Sequence, residues 1–267
     1  MTDTFRITAQ SILSSLQHDN ADDAIQQLCE LKDAFYSSIP AKQRISRGIT
    51  WVVQQIAGLL AAECADLTEI PLLVHSLQKN LEPADHLQGV PLFLMTEYGK
   101  QHPQQVYSFY AEAAASSEWV IREFAAAAFR PIIAVEPGLV LPWLQQMAVD
   151  QNPNVRRFAS ETLRPVVTNR WLNKQSEYSL SVLRLLFREP HPYPRTSVGN
   201  NLSDLSRRNP ELIFSIVHEL VESQDKNSYW IAYRACRNLV KKDPQRVMDL
   251  LGIDEYHYKD RNFYRLH

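Results

Sequence analysis

Apolar residues recur every three to four positions along most of the chain, and this spacing predicts helix after helix. Helical patterns cover residues 5–16 and 21–35, with Asp22 and Asp23 favouring the second start. After Pro40 the pattern predicts one long amphipathic helix over residues 41–64, with Trp51 in the core. Two more are expected over 69–81 and 86–100, punctuated by Asp85 and the Gly89–Pro91 stretch. From His102 onward proline sets the boundaries. Pro103, Pro137, Pro153, Pro210 and Pro244 each precede a helical run, as suits a proline in a first turn. Asn152, Asn209 and Asp243 stand before three of them as expected N-caps. Residues 188–194 (REPHPYP) read as a rigid loop between repeats, with Tyr193 at its rim.

Within residues 116–242 one helical text recurs four times: SSEWVIREFAAAAFRPII, NPNVRRFASETLRPVV, YPRTSVGNNLSDLSRR and SYWIAYRACRNLVKK. Aligning Arg122, Arg156, Arg195 and Ala232 puts Ala125, Ala159, Val198 and Ala235 in one column. Phe129, Leu163, Leu202 and Leu239 share another, and successive copies are offset by 34, 39 and 37 residues. That period, on helical text, marks HEAT-like helix pairs. The predicted fold is therefore all-α, an α-solenoid of HEAT-like repeats forming one curved domain with a concave face. Residues 1–100 would be an N-terminal helical cap, 101–252 the clearest repeats, and 253–267 a tail that packs back on the last repeat.

Direction around each helix then matters. At about 100° per residue from the arginine column, Glu123, Glu161 and Asp204 fall at roughly 100°, 140° and 180°. Three acids from three successive repeats would share one sector, with arginines along its edge. Each sits in an otherwise apolar run, where a water-facing acid would not need to be. For any one such acid a surface salt bridge is the simpler reading. Three converging would raise one another's pKa, a pattern that favours a functional site for a cationic ligand on a polyanion.

These residues carry a resemblance. REFAAAAFRPI, NVRRFASETLRP, RTSVGNNLSDLS and WIAYRACRNLVK resemble the HEAT-like-repeat DNA alkylation repair proteins, the AlkC/AlkD superfamily, and are closer to its AlkC branch. The resemblance covers roughly the second half of the chain. It implies a monofunctional DNA glycosylase that excises cationic alkylpurines, chiefly 3-methyladenine, from duplex DNA without a deep base-flipping pocket. It implies catalytic carboxylates at Glu123, Glu161 and Asp204, and a functional arginine at Arg156 or Arg157. The alternative from another class is a non-catalytic HEAT scaffold that binds DNA, RNA or a protein.

Net charge is only −2, but its distribution is uneven. Residues 1–149 hold nine Lys and Arg against sixteen Asp and Glu, while residues 150–267 hold nineteen against fourteen. A basic second half suits a local DNA footprint. Candidate DNA contacts are Arg122, Arg156, Arg157, Arg195, Arg207, Arg208, Trp230, Arg234 and Arg237, with Tyr233 beside the last group. Trp119, Trp143 and Trp171 read by default as core, with lesion contact the functional alternative at Trp119 and Trp171.

Seven glycines form no GxGxxG or GxxxxGK[ST], and no GxSxG or HExxH occurs. No cofactor and no metal are expected. No apolar run approaches the ~18 residues of a membrane span, so no membrane partner is expected. Cys29, Cys64 and Cys236 are scattered and odd in number, which suits small buried thiols in a cytoplasm. The expected partner is double-stranded DNA carrying an alkylated base, bound by a monomer that is cytoplasmic and nucleoid-associated on DNA.

Overall fold

The computed structural model describes residues 3–257, which form α-helices and short 3-10 turns with no strand among them. They fall into two compact units, Met1–Glu136 and Pro137–His267, each built of packed helices. Among the described residues, no helix is long and apolar enough to cross a membrane.

The first unit holds α1 (Asp3–Gln17), α2 (Ala21–Ser38), α3 (Ile49–Glu63), α4 (Ile70–Asn80), α5 (Gly89–Gly99), α6 (Tyr107–Ala115) and α7 (Trp119–Val135). Helix α5 is apolar on almost every side and is accordingly the one enclosed by others, packing on α3, α4 and α7. Its Thr96 is fully buried and donates to Ala128 O of α7 at 2.8 Å, while Tyr110 of α6 donates to Leu92 O of α5 at 2.9 Å. These bonds satisfy polar groups that would otherwise be costly inside the core.

The second unit holds α8 (Pro137–Ala148), α9 (Pro153–Thr162), α10 (Ser176–Leu183), α11 (Pro192–Leu205), α12 (Pro210–Glu222), α13 (Lys226–Ala235) and α14 (Pro244–Leu251). Packing runs from α9 to α11 to α13, with α8 against α9 and α12 against α13. Alternate helices thus stack on one another, as in a repeat array. The four aligned texts lie on α7, α9, α11 and α13. Both apolar columns are fully buried: Ala125, Ala159, Val198 and Ala235, and Phe129, Leu163, Leu202 and Leu239. Pro137, Pro153, Pro210 and Pro244 each open a helix. Asn152 caps α9 by accepting from Asn154 N at 2.9 Å, and Asp243 caps α14 through Arg246 N at 3.2 Å. The tail begins as expected: Tyr256 stacks on Tyr233 and donates to Tyr233 O at 2.8 Å. The rest of that expectation, residues 258–267, lies outside the described residues.

Several expectations need correction. The long helix over 41–64 is only α3, preceded by a 3-10 turn at Ala41–Gln43. Residues 41–48 have no apolar stripe to bury, and Ile45 is almost wholly exposed. Trp51 is half-buried, with the Arg47 guanidinium 5.0 Å over its ring. Asn209 does not cap α12; its amide donates to Asn173 O at 2.9 Å instead. The REPHPYP loop is shorter than expected, because Pro192 and Pro194 fit the first turn of α11, which His191 caps. Of the three cysteines only Cys236 is buried.

Candidate nucleic-acid interface

The arginine column has a structural task that repeats. A carbonyl just before a helix has no intrahelical donor. Arg122 of α7 turns back and donates through Nη1 to Ser116 O and Ser117 O at 2.7 and 2.6 Å. Arg156 of α9 does the same to Asp150 O and Gln151 O at 2.8 and 2.9 Å, and Arg195 of α11 reaches Pro190 O at 3.3 Å. Each clasps the loop that feeds its own helix. Arg156 also grips the buried Glu189 carboxylate with Nε and Nη2 at 2.7 and 2.8 Å. Burial would raise the Glu189 carboxyl, but Arg156 and the His191 N–H outweigh it and hold the group below its ordinary value. Hydrogen bonding to Glu189 lifts the Arg156 guanidinium above its own. Arg195 donates to Asn227 Oδ1 and lies 4.8 Å from the Trp230 ring centre, and burial lowers its pKa despite Glu189 and Asp225.

Two of the predicted acids meet in the second unit. Glu161, in the last turn of α9, and Asp204, in the last turn of α11, share one arginine. Arg164 donates through Nη1 to Glu161 Oε1 at 3.0 Å, and through Nη2 and Nε to Asp204 Oδ2 at 2.6 and 3.1 Å. Burial works against its charge, but Glu161 and the Asp204 bonds raise its pKa above the ordinary arginine value. The expected juxtaposition of like charges is thus replaced by acid, arginine, acid. Glu161 Oε2 also accepts from Ser197 Oγ at 2.7 Å and lies 3.6 Å from Arg157 Nη2. Asp204 Oδ1 faces Arg237 Nη2 at 3.4 Å and Arg207 Nη2 at 3.6 Å. Glu123 is half-buried on α7 of the first unit.

Sequence reasoning missed Arg164. Its signal was present: Arg-Pro occurs at both Arg130-Pro131 and Arg164-Pro165, 34 residues apart, as are the aligned arginines of those copies.

The other predicted residues fall around this pair or away from it. Arg157 stacks 4.5 Å over Tyr193, which is half-buried. The RRFASE arginines therefore divide the work, Arg156 to the loop and Arg157 toward Glu161. Arg234 of α13 donates to Asn200 Oδ1 of α11 at 3.0 Å, and Arg237 reaches the same oxygen at 3.5 Å. Trp230 lies between Arg195 and Arg234, whose guanidinium is 5.5 Å from its ring. Gly199 allows the crossing: a Cβ there would stand 2.8 Å from Arg234 Cβ. Arg207 and Arg208 are exposed just beyond α11. Trp119 is 58% exposed at the start of α7, edge-on to His86, so the default core reading fails there. Trp171 sits on a 3-10 segment (Val167–Asn173) against Tyr178, with its indole nitrogen buried. Around α9, α11 and α13 guanidiniums outnumber carboxylates, which favours an anionic polymer as partner. Among the described residues no group of three or more His, Cys, Asp and Glu could hold a metal.

This helical stacking recurs in solved structures. The Pseudomonas fluorescens alkylpurine DNA glycosylase AlkC, bound to DNA containing an abasic site analog, superposes with a TM-score of 0.57 at 21% identity. The match covers 91% of this chain and 68% of that one. AlkD2 from Streptococcus mutans gives 0.60 at 20% identity, covering 79% and 97%. The fold is shared with both of these structures. A curated relative, the uncharacterized protein YhaZ of Bacillus subtilis (strain 168), is 27% identical over 180 residues, 65% of this chain. The chain spans about half the length of that relative, 49%. No known family model matches.

Proposed function

We propose that this chain acts in DNA alkylation repair as a monofunctional glycosylase, excising cationic bases such as 3-methyladenine from duplex DNA. The observation that carries the proposal is the Glu161–Arg164–Asp204 cluster, set on adjoining helices among Arg157, Arg207 and Arg237. The shared AlkC fold supports it. A base with a fixed positive charge leaves without being protonated. The C1′–N bond breaks, its electron pair neutralises the base, and an oxocarbenium ion forms on the sugar. Water adds to C1′ and loses a proton. A carboxylate beside the sugar stabilises the cation and orients that water. Asp204 keeps more exposure than Glu161 and is assigned that role, while Glu161 supports it. Arginines around the pair hold flanking phosphates. The enzyme works as a cytoplasmic monomer without cofactor or metal.

Release of free 3-methyladenine from methylated duplex, wild type beside Asp204→Asn and Glu161→Gln, tests this. The expected result is release by wild type, loss in both variants, and retained duplex binding. No release by wild type, with duplex still bound, would overturn it.

One observation favours a second reading. Both acids are already engaged by arginines, which is also how a DNA-binding scaffold would organise its guanidiniums. That reading has the acid variants functional and Arg234→Ala impaired in binding.

A further inference from the structure

Asp204 offers two unequal oxygens. Its Oδ2 receives two short bonds from Arg164, at 2.6 and 3.1 Å, whereas among the described residues Oδ1 faces Arg237 at 3.4 Å and Arg207 at 3.6 Å. We infer that Arg164 is a positioning residue of the excision site: it fixes Asp204 through Oδ2 and Glu161 through Oε1, leaving Asp204 Oδ1 as the oxygen that faces the sugar. This rests on the glycosylase reading above.

The geometry separates the arginines by task. Charge-assisted hydrogen bonds normally span about 2.7–2.9 Å, so Arg237 and Arg207 hold Oδ1 less closely than Arg164 holds Oδ2. Arg207 is 64% exposed and free to swing to a phosphate, uncovering that oxygen. Arg164 is less than half as exposed and is bound on both sides, so an arriving phosphate does not draw it off. Glu161 in turn has no oxygen to spare, since Oε1 faces Arg164 and Oε2 accepts from Ser197 with Arg157 beside it. It therefore anchors the arginine and not the sugar. Among the described residues, Arg157 on α9, Arg164 after it, Arg207 after α11 and Arg237 after α13 face the pair. Only a planar fork can serve both carboxylates at once. A lysine keeps the charge but not the fork.

Arg164→Lys and Arg164→Met, beside wild type, test the role through two readouts, single-turnover release of methylated base and affinity for undamaged duplex. With wild type active, Arg164→Lys is expected to slow release about 100-fold, as an ångström-scale misplacement of a reacting group does, with affinity within about threefold. Arg164→Met is expected to slow release at least as much at the same affinity. Arg164→Lys working at the wild-type rate, or rate and affinity falling together, would overturn the role. If Arg164→Met does not fold, Arg164→Lys alone decides through its rate and affinity. A wild type that releases no base would overturn the glycosylase reading instead, and with it any role in excision.

Discussion

Replacing Glu189 by glutamine separates a structural arginine from a DNA-binding one. The side chain of Glu189 is only 3% exposed and that of Arg156 16%, and two bonds of 2.7 and 2.8 Å join them. The same carboxylate accepts from His191 N at 2.8 Å, fixing the entry to α11. Removing one partner of a buried pair costs about 3–5 kcal/mol. Here Gln can still accept one bond, and Arg156 keeps the carbonyls of Asp150 and Gln151, so the loss falls below that range, at about 2–3 kcal/mol. At an m-value of about 1.5 kcal/mol per molar urea, the midpoint of the second unit should fall by between about 1 and 2 M.

The pH dependence has a definite sign. The folded-state pKa of Glu189 is depressed, so its stabilisation is present above the unfolded value, near 4.5, and is lost as pH falls through the folded value. Glu189→Gln has no such titration. The gap between wild type and variant should be full at pH 7 and close below pH 4.5. Urea unfolding followed by circular dichroism from pH 7 to pH 3 measures it. A gap absent at pH 7, or constant down to pH 3, would refute the pairing as drawn.

Other outcomes follow from named contacts. Gly199→Ala places a methyl 2.8 Å from Arg234 Cβ, the stiff root of the side chain. Overpacking should outweigh the helix-propensity gain and destabilise by about 1 kcal/mol, read by thermal melting; a stabilised variant would mean the helices part freely. Burial pushes the Cys236 thiol up to about 12, so thiol reagents at pH 8 should label it only as fast as the second unit unfolds, and faster labelling would contradict its burial. Arg234→Ala and Arg237→Ala should each lower the slope of log affinity against log salt on duplex DNA by about 1, and unchanged slopes would remove them from the phosphate track.

What the sequence disclosed and what it withheld divide along physical lines. The two apolar columns were legible because burial follows helical period, and every member of both is inside. Proline starts were legible because a fixed φ and a missing N–H suit one position only. The 41–64 helix misled because helical spacing was extended across a polar stretch with nothing to bury. Trp119 misled because an aromatic on a repeat helix looks like core, yet it stands at the first helical position and points to solvent. The arginine column was visible as a repeat, but its partners were backbone carbonyls, which leave no mark in a side-chain pattern.

The acids show how more could have been read. A carboxylate in an apolar run must find a cation or lose its charge. Glu161 and Asp204 each have an arginine three residues on, Arg164 and Arg207, where helical geometry brings side chains together. The two arginines nonetheless differ in reach. Arg164 stands just past the end of α9, before Pro165, and its guanidinium meets both α9 and α11. Ordinary turn residues follow Arg207, and it stays at the surface with a 3.6 Å approach to Asp204. One acid–arginine spacing therefore yields a clamp in one repeat and an exposed cation in the next. That asymmetry fits a site in which one guanidinium holds a carboxylate still while its neighbour is free to meet a phosphate.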